Sequence, residues 1–244
     1  MSSAQFGFRT VEAEEKTSLV KGVFDAVASR YDLMNDAMSF GLHRLWKRAF
    51  ISEAAVRNSM RCLDVAGGTG DIAFALLKAG AAHVTISDIN NAMLNEGRKR
   101  ADDRGILQKV EWLCANAESL PLPDNGYHLY TIAFGIRNVT HIDKALAEAH
   151  RVLAPGGRFL CLEFSKVNME LLARAYDSYS FNVIPKLGKW IAGDGAPYQY
   201  LVESIRTFPA QEKFSAMIEK AGFKQVRHIN MSGGVVAIHS GYKI

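Results

Sequence analysis

A glycine-rich turn between a predicted strand and a predicted helix constrains the fold of this 244-residue chain more than any other feature. The turn spans residues 63–71 and reads Leu-Asp-Val-Ala-Gly-Gly-Thr-Gly-Asp, with glycines at Gly67, Gly68 and Gly70. Glycines at such a place let the backbone approach a ligand closely. The turn therefore predicts an α/β fold with a ligand site at the end of a buried strand.

Predicted strands and helices alternate after this turn, which is typical of a parallel sheet with helices on both faces. Short apolar runs predict strands at 61–66, 83–87, 110–114, 127–134 and 158–163. The segments between them predict helices at 71–79, 90–103 and 142–153. A last helix at 210–221 precedes a hairpin of strands 223–230 and 235–242. The predicted fold class is therefore α/β and Rossmann-like, with a mostly parallel sheet that ends in an antiparallel hairpin.

The length of the chain suits one large domain rather than two. Apolar residues recur at helical spacing from Val20 to Ala28, and a second helix is predicted at 42–55. Between residues 164 and 208 the alternation stops and aromatic residues accumulate. We therefore expect a single domain over 1–244 with four parts, which are a helical cap (1–60), a cofactor-binding half (61–163), an aromatic-rich lid insert (164–208), and the last helix with its hairpin (209–244).

Composition argues against several classes of protein. The net charge is +4 without a dense run of Lys or Arg, so nucleic-acid binding is not indicated. No apolar run approaches the length of a transmembrane helix, and no secretory or transit signal is visible. The cysteines Cys62, Cys114 and Cys161 lie beside predicted strands without CxxC spacing. We expect them to be buried reduced thiols in a reducing compartment, and we expect no metal site.

An acidic residue at the end of the next strand indicates an adenosine-bearing cofactor. Asp88 follows Gly70 by 18 residues, where a carboxylate can accept hydrogen bonds from both ribose hydroxyls. Asn116 follows the third strand, beside the expected position of the adenine, and could bond to its ring edges. A helix or turn cap is the alternative interpretation of Asn116.

Charge favours a cationic cofactor over a dinucleotide. Residues 68–73 also match the G-x-G-x-x-A pattern of a nicotinamide-binding turn, in which a pyrophosphate sits at the helix N-terminus. Asp64 and Asp71 flank the glycines and would repel that pyrophosphate, whereas they suit an amino group and a sulfonium. A simple helix-start charge for Asp71 is compatible with either cofactor. The turn therefore favours S-adenosylmethionine and a methyltransferase.

The sequence also carries segments of one known family over nearly its whole length. They are residues 31–36 with 41–47, 63–71, 134–139, 151–157, 162–166, 198–205 and 233–239. Through these segments the chain resembles the UbiE/COQ5 C-methyltransferases of ubiquinone and menaquinone biosynthesis. Three of these segments are specific to that family, namely 31–36 with 41–47, 134–139 and 198–205. Pro155-Gly156-Gly157 instead occurs in many methyltransferases.

The resemblance implies transfer of a methyl group to a ring carbon of a polyprenylated 1,4-benzoquinol, with S-adenosylmethionine as cofactor. Demethylmenaquinol is the implied acceptor in organisms that make menaquinone. The cofactor positions of the family fall on Thr69, Asp88, Asn116 and Ala117. A further family position that is often Ser is Ala133 here, so a side-chain hydrogen bond there is lost or made by the backbone.

Methyl transfer to carbon requires an aligned, electron-rich ring whose hydroxyl loses its proton. Arg137 and Asn138 follow the fourth strand, where ligands collect, and Arg137 could stabilise the developing phenolate. A guanidinium is a poor base, so a water relay with Arg137 and Asp71 is favoured over direct proton removal. An ion pair that holds the loop is the alternative for Arg137.

Further residues are candidates for the acceptor pocket. His43 has a suitable pKa for a base, although a buried or capping histidine is the alternative. Tyr200 and Tyr198 could line the quinol ring or belong to an aromatic core. Tyr31 and Glu203 complete the set.

The polyprenyl tail needs apolar surface, and the insert 164–208 and segment 34–40 are expected to supply its groove. The expected partners are the quinol, a membrane surface bound peripherally and other quinone-biosynthesis enzymes, and a homodimer is compatible with the sequence. The location is cytoplasmic and membrane-peripheral in a bacterium, or the matrix side of the mitochondrial inner membrane in a eukaryote. A methyltransferase for another aromatic or lipid acceptor, a non-catalytic lipid-binding subunit and a nicotinamide enzyme remain alternatives.

Overall fold

The predicted parallel sheet is present in the computed structural model, which describes residues 3–27, 36, 39, 41–167 and 195–244. Every strand predicted after residue 60 is found within a few residues of its expected bounds, except that the strand expected at 158–163 begins earlier. The strands are β1 (Ser3–Phe6), β2 (Arg9–Glu12), β3 (Arg61–Val65), β4 (His83–Asp88), β5 (Val110–Cys114), β6 (Tyr127–Ala133), β7 (Leu153–Phe164), β8 (Lys224–Met231) and β9 (Val236–Tyr242).

The helices that flank the sheet follow the same order as the predicted ones, with one addition inside the expected insert. They are α1 (Ala13–Val27), α2 (His43–Ala54), α3 (Asp71–Lys78), α4 (Asn91–Asp103), α5 (Ile142–Val152), α6 (Ala196–Thr207) and α7 (Gln211–Lys220). A 3-10 turn at Ile136–Asn138 follows β6. In the part of the chain that is described, no helix combines the length and the apolar character needed to cross a membrane.

Seven strands form one sheet in the order β5-β4-β3-β6-β7-β9-β8. The pairs from β5 to β7 are parallel, whereas β9 is antiparallel to both β7 and β8. The chain leaves β3 toward β4 on one side and returns to β6 on the other. This reversal opens a crevice at the carboxyl ends of β3 and β6, where ligands bind in folds of this kind.

Each face of the sheet is covered by its own apolar core. Along β3, Cys62 belongs to one core and Leu63 and Val65 to the other, because successive side chains of a strand point to opposite faces. Helices α1 to α4 and α6 contribute to the first core, and α5 and α7 to the second. The first core carries the elements that surround the crevice.

The prediction of a helical cap over residues 1–60 is wrong at its start. Residues 3–12 form the antiparallel hairpin β1–β2, joined by a two-residue turn at Gly7 and Phe8. Gly7 has a φ of +59°, which a glycine at the first turn position adopts readily. Further along, α1 and α2 confirm the two expected helices.

Two further expectations are corrected or left open. Cys62 and Cys161 are buried as expected, but Cys114 is exposed because it ends the edge strand β5. Helix α6 lies within the range given to the lid insert. Residues 168–194 of that insert, and all of segment 34–40 except residues 36 and 39, lie outside the described residues.

Candidate functional site

The candidate site lies at the carboxyl ends of β3 and β6, where the strand order reverses. Two adjoining clefts open there, a larger one of about 800 Å³ and a smaller one of about 370 Å³. Ala66, Gly68 and Phe134 line both clefts. The glycine-rich turn therefore contributes to both, as expected from its position after the first strand of the sheet.

Close contacts of the backbone explain the glycines of this turn. A Cβ atom at Gly67 would lie 2.7 Å from Ile86 Cγ2 and 2.8 Å from Asp64 Oδ2. Gly70 has a φ of +87°, and its missing side chain leaves room for the Phe74 ring. Gly67 and Gly68 line the smaller cleft, whereas Gly70 shapes the turn and lines neither cleft.

Strained backbone marks the two strand ends that meet at the site. Ala66 and Phe134 follow β3 and β6 with φ values of 52° and 57°, in the left-handed region that residues with a side chain rarely adopt. A Cβ atom at Gly135 would lie 2.4 Å from Ala66 Cβ, so the two loops touch. Such strain is concentrated at ligand-binding sites.

Asp88 lines the larger cleft. Its Oδ2 accepts a hydrogen bond from the Gly68 N–H at 2.9 Å, and its Oδ1 accepts one from the Asn90 N–H at 2.8 Å. Burial raises the pKa of Asp88 to about 6, against the effect of these donors. Each oxygen keeps a further lone pair, so the carboxylate can still accept from two hydroxyls.

The walls of the larger cleft beyond Asp88 are mainly apolar. Ile89 and Met93 lie on one side, and Ala117 lies beside Asn116. The Asn116 Oδ1 accepts a hydrogen bond from the Glu118 N–H at 3.0 Å. The turn-cap interpretation of Asn116 is therefore correct for its oxygen, which accepts from the backbone, while its amide NH₂ group remains a donor at the lining of the cleft.

Helix α1 covers the larger cleft, which the sequence did not indicate. Its residues Thr17, Val20, Lys21 and Phe24 are part of the lining. The helix is held by bonds to loops that follow the strands. Lys16 Nζ donates to Val139 O at 2.8 Å, the Thr17 and Thr140 hydroxyls are 3.4 Å apart, and Asn90 Nδ2 donates to Asp25 Oδ1 at 2.8 Å.

The smaller cleft contains an unpartnered carboxylate oxygen. Asp64 is 1% exposed, and its Oδ1 accepts from the Thr131 hydroxyl at 2.8 Å. Among the described residues, its Oδ2 has no hydrogen-bond partner. Burial raises the pKa of Asp64 to about 7, although hydrogen bonds from Thr131 and from the Ala73 backbone act against it. A cationic group in the cleft would supply the missing partner.

A cation from α2 faces the same cleft. Lys47 Nζ lies 2.9 Å from Asp71 Oδ2 at the start of α3, and both residues line the cleft. Burial disfavours the charged form of Asp71, but Lys47, together with Arg100 and Arg104, outweighs burial, and the pKa of Asp71 stays below its ordinary value. The cleft therefore offers the remaining N–H donors of Lys47, whose charge is shared with Asp71, and the buried Asp64 carboxyl group, which fits the carboxyl and amino groups of an amino acid. Thr69 and Ala133 also line it.

The charge argument drawn from the sequence is sharpened by these contacts. Asp71 does not present a free negative charge to a ligand, because Lys47 neutralises it. Asp64 is the residue that favours a cation, through its unpartnered Oδ2. The preference for a cationic cofactor thus depends on Asp64 and not on Asp71. The sequence does not reveal that Asp71 is paired, because Lys47 lies 24 residues away in the chain.

Arg137 is held in a buried ion pair rather than directed into a cleft. Its Nη1 lies 2.8 Å from Oε1 of Glu163, and the two side chains are 4% and 0% exposed. Nη1 also donates to Phe134 O, and Nε donates to the Ser204 hydroxyl at 3.3 Å. These contacts agree with the alternative interpretation of Arg137, in which an ion pair holds the loop.

Asn138, the next residue, does line the larger cleft. The Tyr200 hydroxyl donates to Asn138 Oδ1 at 3.1 Å. Burial raises the pKa of Tyr200 well above its ordinary value, so the hydroxyl stays protonated and remains a donor. Tyr200 therefore lies behind Asn138 and does not line either cleft.

The remaining candidates lie away from the lining or outside the description. His43 is buried, with Nδ1 at 2.9 Å from the Ser39 hydroxyl. Burial and then Lys47 lower the pKa of His43, so its imidazole is neutral at neutral pH. Tyr198 is fully buried in the core, as its alternative interpretation stated, and Tyr31 lies outside the described residues.

Comparison with known proteins gives a family model and close relatives. The model of the ubiE/COQ5 methyltransferase family matches residues 9–243. A protein of Brucella abortus called ubiquinone/menaquinone biosynthesis C-methyltransferase UbiE is 57% identical over 98% of this chain and 90% of its own length. A protein of the same name from Brucella anthropi is 56% identical over 98% of this chain and 92% of its own.

Solved structures agree with the fold. A SAM-dependent methyltransferase from Aquifex aeolicus aligns with a TM-score of 0.60 and 20% identity, over 81% of this chain and 89% of its own. Another from Thermotoga maritima aligns with a TM-score of 0.62 and 19% identity, over 91% and 99%. At these identities the likeness concerns the fold.

Proposed function

Because the chain belongs to the ubiE/COQ5 methyltransferase family and is an S-adenosylmethionine-dependent methyltransferase, we propose that it methylates a ring carbon of a polyprenylated 1,4-benzoquinol. The names of its relatives support a role in ubiquinone biosynthesis, and in menaquinone biosynthesis where that quinone is made. The observation that carries the proposal is the pair of adjoining clefts. One suits a nucleoside and the other an amino acid.

The two ends of the cofactor are assigned to the two clefts. Asp88 accepts from the ribose hydroxyls, and Asn116 and Ala117 border the adenine. Asp64 and Lys47 hold the ammonium and the carboxylate of the methionine end. When bound, S-adenosylmethionine supplies an electrophilic methyl group attached to a cationic sulfur.

The acceptor ring is assigned to the part of the larger cleft near Phe134 and Asn138. The Asn138 amide donates a hydrogen bond to the quinol oxygen as negative charge develops there. Arg137 keeps the loop in place through Glu163 and is not the proton acceptor, since its guanidinium is already engaged.

The proton of the acceptor hydroxyl needs a base. Asp71 is a weak one, because Lys47 keeps its pKa below the ordinary value. His43 is the other candidate, because its imidazole is neutral at neutral pH, although it lies outside the lining of both clefts and would act only through water. A water molecule would relay the proton to either residue.

The polyprenyl tail and the membrane complete the proposal. We assign the tail to the insert 164–208 and segment 34–40, and the protein to the cytoplasmic or matrix surface of a membrane, as a monomer or homodimer near other quinone-biosynthesis enzymes. If the insert carries the tail, charged substitutions in it raise the KM for long-tailed acceptors more than for short-tailed ones. Equal effects on both acceptors would contradict the assignment.

Quinone profiling tests the proposed function in the cell. A strain lacking this protein is analysed by mass spectrometry beside one complemented with the wild-type chain. We expect the ring-demethylated precursor to accumulate in the first strain and to disappear in the second. An unchanged quinone pool would overturn the proposal.

A further inference from the structure

The N-terminal hairpin contacts the helix that supports Asn138. The Phe6 ring at the end of β1 stacks on the Tyr200 ring of α6, with centroids 4.2 Å apart and an interplanar angle of 17°. Tyr200 is 4% exposed, and its hydroxyl is the donor to Asn138 Oδ1. An unbroken series of contacts thus runs from the first strand to the larger cleft.

A second contact fastens the same turn to the same helix. The Phe8 N–H donates to Glu203 Oε2 at 3.1 Å, and Gln199 Nε2 donates to Glu203 Oε1 at 2.8 Å. A Cβ atom at Gly7 would lie 2.2 Å from Glu203 Oε2 and 3.0 Å from Glu203 Cβ. Only glycine at position 7 lets the turn come this close to α6.

Helix α6 carries two neighbouring pairs of residues, and the two members of each pair are one helical turn apart. Gln199 and Glu203 form the pair on the hairpin side, through the bond to Phe8. Tyr200 and Ser204 form the pair on the site side, through bonds to Asn138 and Arg137. A shift of the hairpin would therefore be passed directly to the loop after β6.

We propose that the Phe6-Gly7-Phe8 turn is a clasp that fixes α6 and so sets the orientation of the Asn138 amide, which makes Phe6, Tyr200 and Glu203 positioning residues for methyl transfer. The Tyr200 hydroxyl donates to Asn138 Oδ1, and Nδ2 donates one N–H to Phe134 O at 3.5 Å, which leaves its second N–H as the donor near the cleft. The clasp rests on the proposed function in one respect, since Asn138 is taken to face the acceptor.

The clasp is tested with Phe6→Leu, which removes the stacked ring, and with Gly7→Ala, which forces the turn away from Glu203. A stacked pair contributes enough to predict a fall in kcat of about threefold to tenfold on loss of the ring. Phe6→Tyr keeps the ring and should restore the rate. Thr10→Ala is the matched control, because it removes the bond from Gln5 within the same hairpin and leaves the clasp intact.

The readouts separate positioning from general loosening. We expect Phe6→Leu to leave the dissociation constant of S-adenosylmethionine within about twofold, and its effect to be lost when Tyr200→Phe is already present. Because the hairpin leads directly into α1, a loosened fold would instead weaken cofactor binding in parallel with kcat. That parallel loss, or wild-type rates for Phe6→Leu, would overturn the clasp. Absence of methyl transfer by the wild-type protein would overturn the proposed function instead.

Discussion

The cofactor side and the acceptor side of this molecule are built in different ways. On the cofactor side, Asp64, Gly67 and Asp88 lie on consecutive strand ends, and most of their bonds are to backbone or to neighbouring strands. On the side that we assign to the acceptor, Asn138 accepts a hydrogen bond from Tyr200, more than sixty residues away, and the Tyr200 ring stacks on Phe6. The residues assigned to the cofactor are therefore held by the strand ends of the sheet, whereas the part of the larger cleft around Asn138 depends on how distant segments meet.

The largest expected effect is a loss of unfolding free energy when the ion pair on the acceptor side is broken. Arg137→Ala leaves the Glu163 carboxylate buried without its partner, and such a loss costs about 3–5 kcal/mol of unfolding free energy. Urea denaturation measures it. The double variant Arg137→Met, Glu163→Leu is the control and should recover most of the stability. A loss below about 1 kcal/mol for the single variant would mean that the pair does not hold the loop.

The next largest effect is a loss of cofactor affinity when the glycine-rich turn is displaced. Gly67→Ala places a methyl group against Ile86 and the Asp64 carboxylate, and the strain of about 1–3 kcal/mol is expected to displace the turn and weaken S-adenosylmethionine binding tenfold or more. Gly22→Ala in α1 is the matched control, because nothing lies within 4 Å of the added atom. The control should bind normally, and equal affinities of the two variants would contradict the account of the turn.

A smaller effect distinguishes the two clefts to which the two ends of the cofactor are assigned. Lys47→Met removes the cation of the smaller cleft and should weaken S-adenosylhomocysteine roughly tenfold, the effect of losing one charged hydrogen bond, while adenosine binds as before. Titration calorimetry with both ligands measures the difference. Asp71→Asn breaks the same ion pair but keeps the cation, so it should bind S-adenosylhomocysteine well. If it lost affinity as Lys47→Met does, the ion pair and not the cation would be responsible.

The last expected effect is a pH dependence of stability on the cofactor side. Burial raises the pKa of Asp64 from its unfolded value near 4 to about 7, so its contribution to stability is present below about pH 4 and is lost as the pH rises toward 7. Asp64→Asn should therefore gain stability relative to the wild type as the pH rises from about 4 to 7, in thermal unfolding without cofactor. A constant difference across that range would show that Asp64 is not the buried acid described.

Cofactor binding should respond to pH in the opposite sense. An ammonium group beside Asp64 favours its charged form, so the affinity for S-adenosylmethionine is expected to rise between about pH 5 and 8, with release of a proton. Calorimetry in buffers of different ionisation enthalpy detects that proton. Asp64→Asn should bind more weakly and show no such release.

The same contrast explains what could be predicted from the sequence. The strands after residue 60, the turn at 63–71 and the carboxylate Asp88 follow from apolar runs, glycines and spacing, which are local signals. The hairpin β1–β2 was taken for helix, although Gly7 and the β-branched Thr10 and Val11 are a local signal for a hairpin.

Contacts between distant segments account for the rest. Lys47, the partner of Asp71, lies 24 positions away in the chain, and Glu163, the partner of Arg137, lies 26 positions away. Helix α1, which covers the larger cleft, is also distant in sequence from the other residues that line it. No pattern in one sequence pairs Arg137 with Glu163, so the sequence predicts either a contact with the phenolate or an ion pair without naming its partner. Tyr200 was expected to line the ring for the same reason, since its bond to Asn138 is invisible before the chain folds.

Methyl transfer in solution tests the central claim most directly. The purified protein is incubated with methyl-labelled S-adenosylmethionine and a short-tailed, chemically reduced benzoquinol that lacks the ring methyl group, and the product is analysed by mass spectrometry and NMR. We expect the label on a ring carbon, and a rate that falls in Asn138→Ala while the cofactor dissociation constant is unchanged. Binding of the cofactor without any label on the ring, or label on an oxygen, would contradict the account.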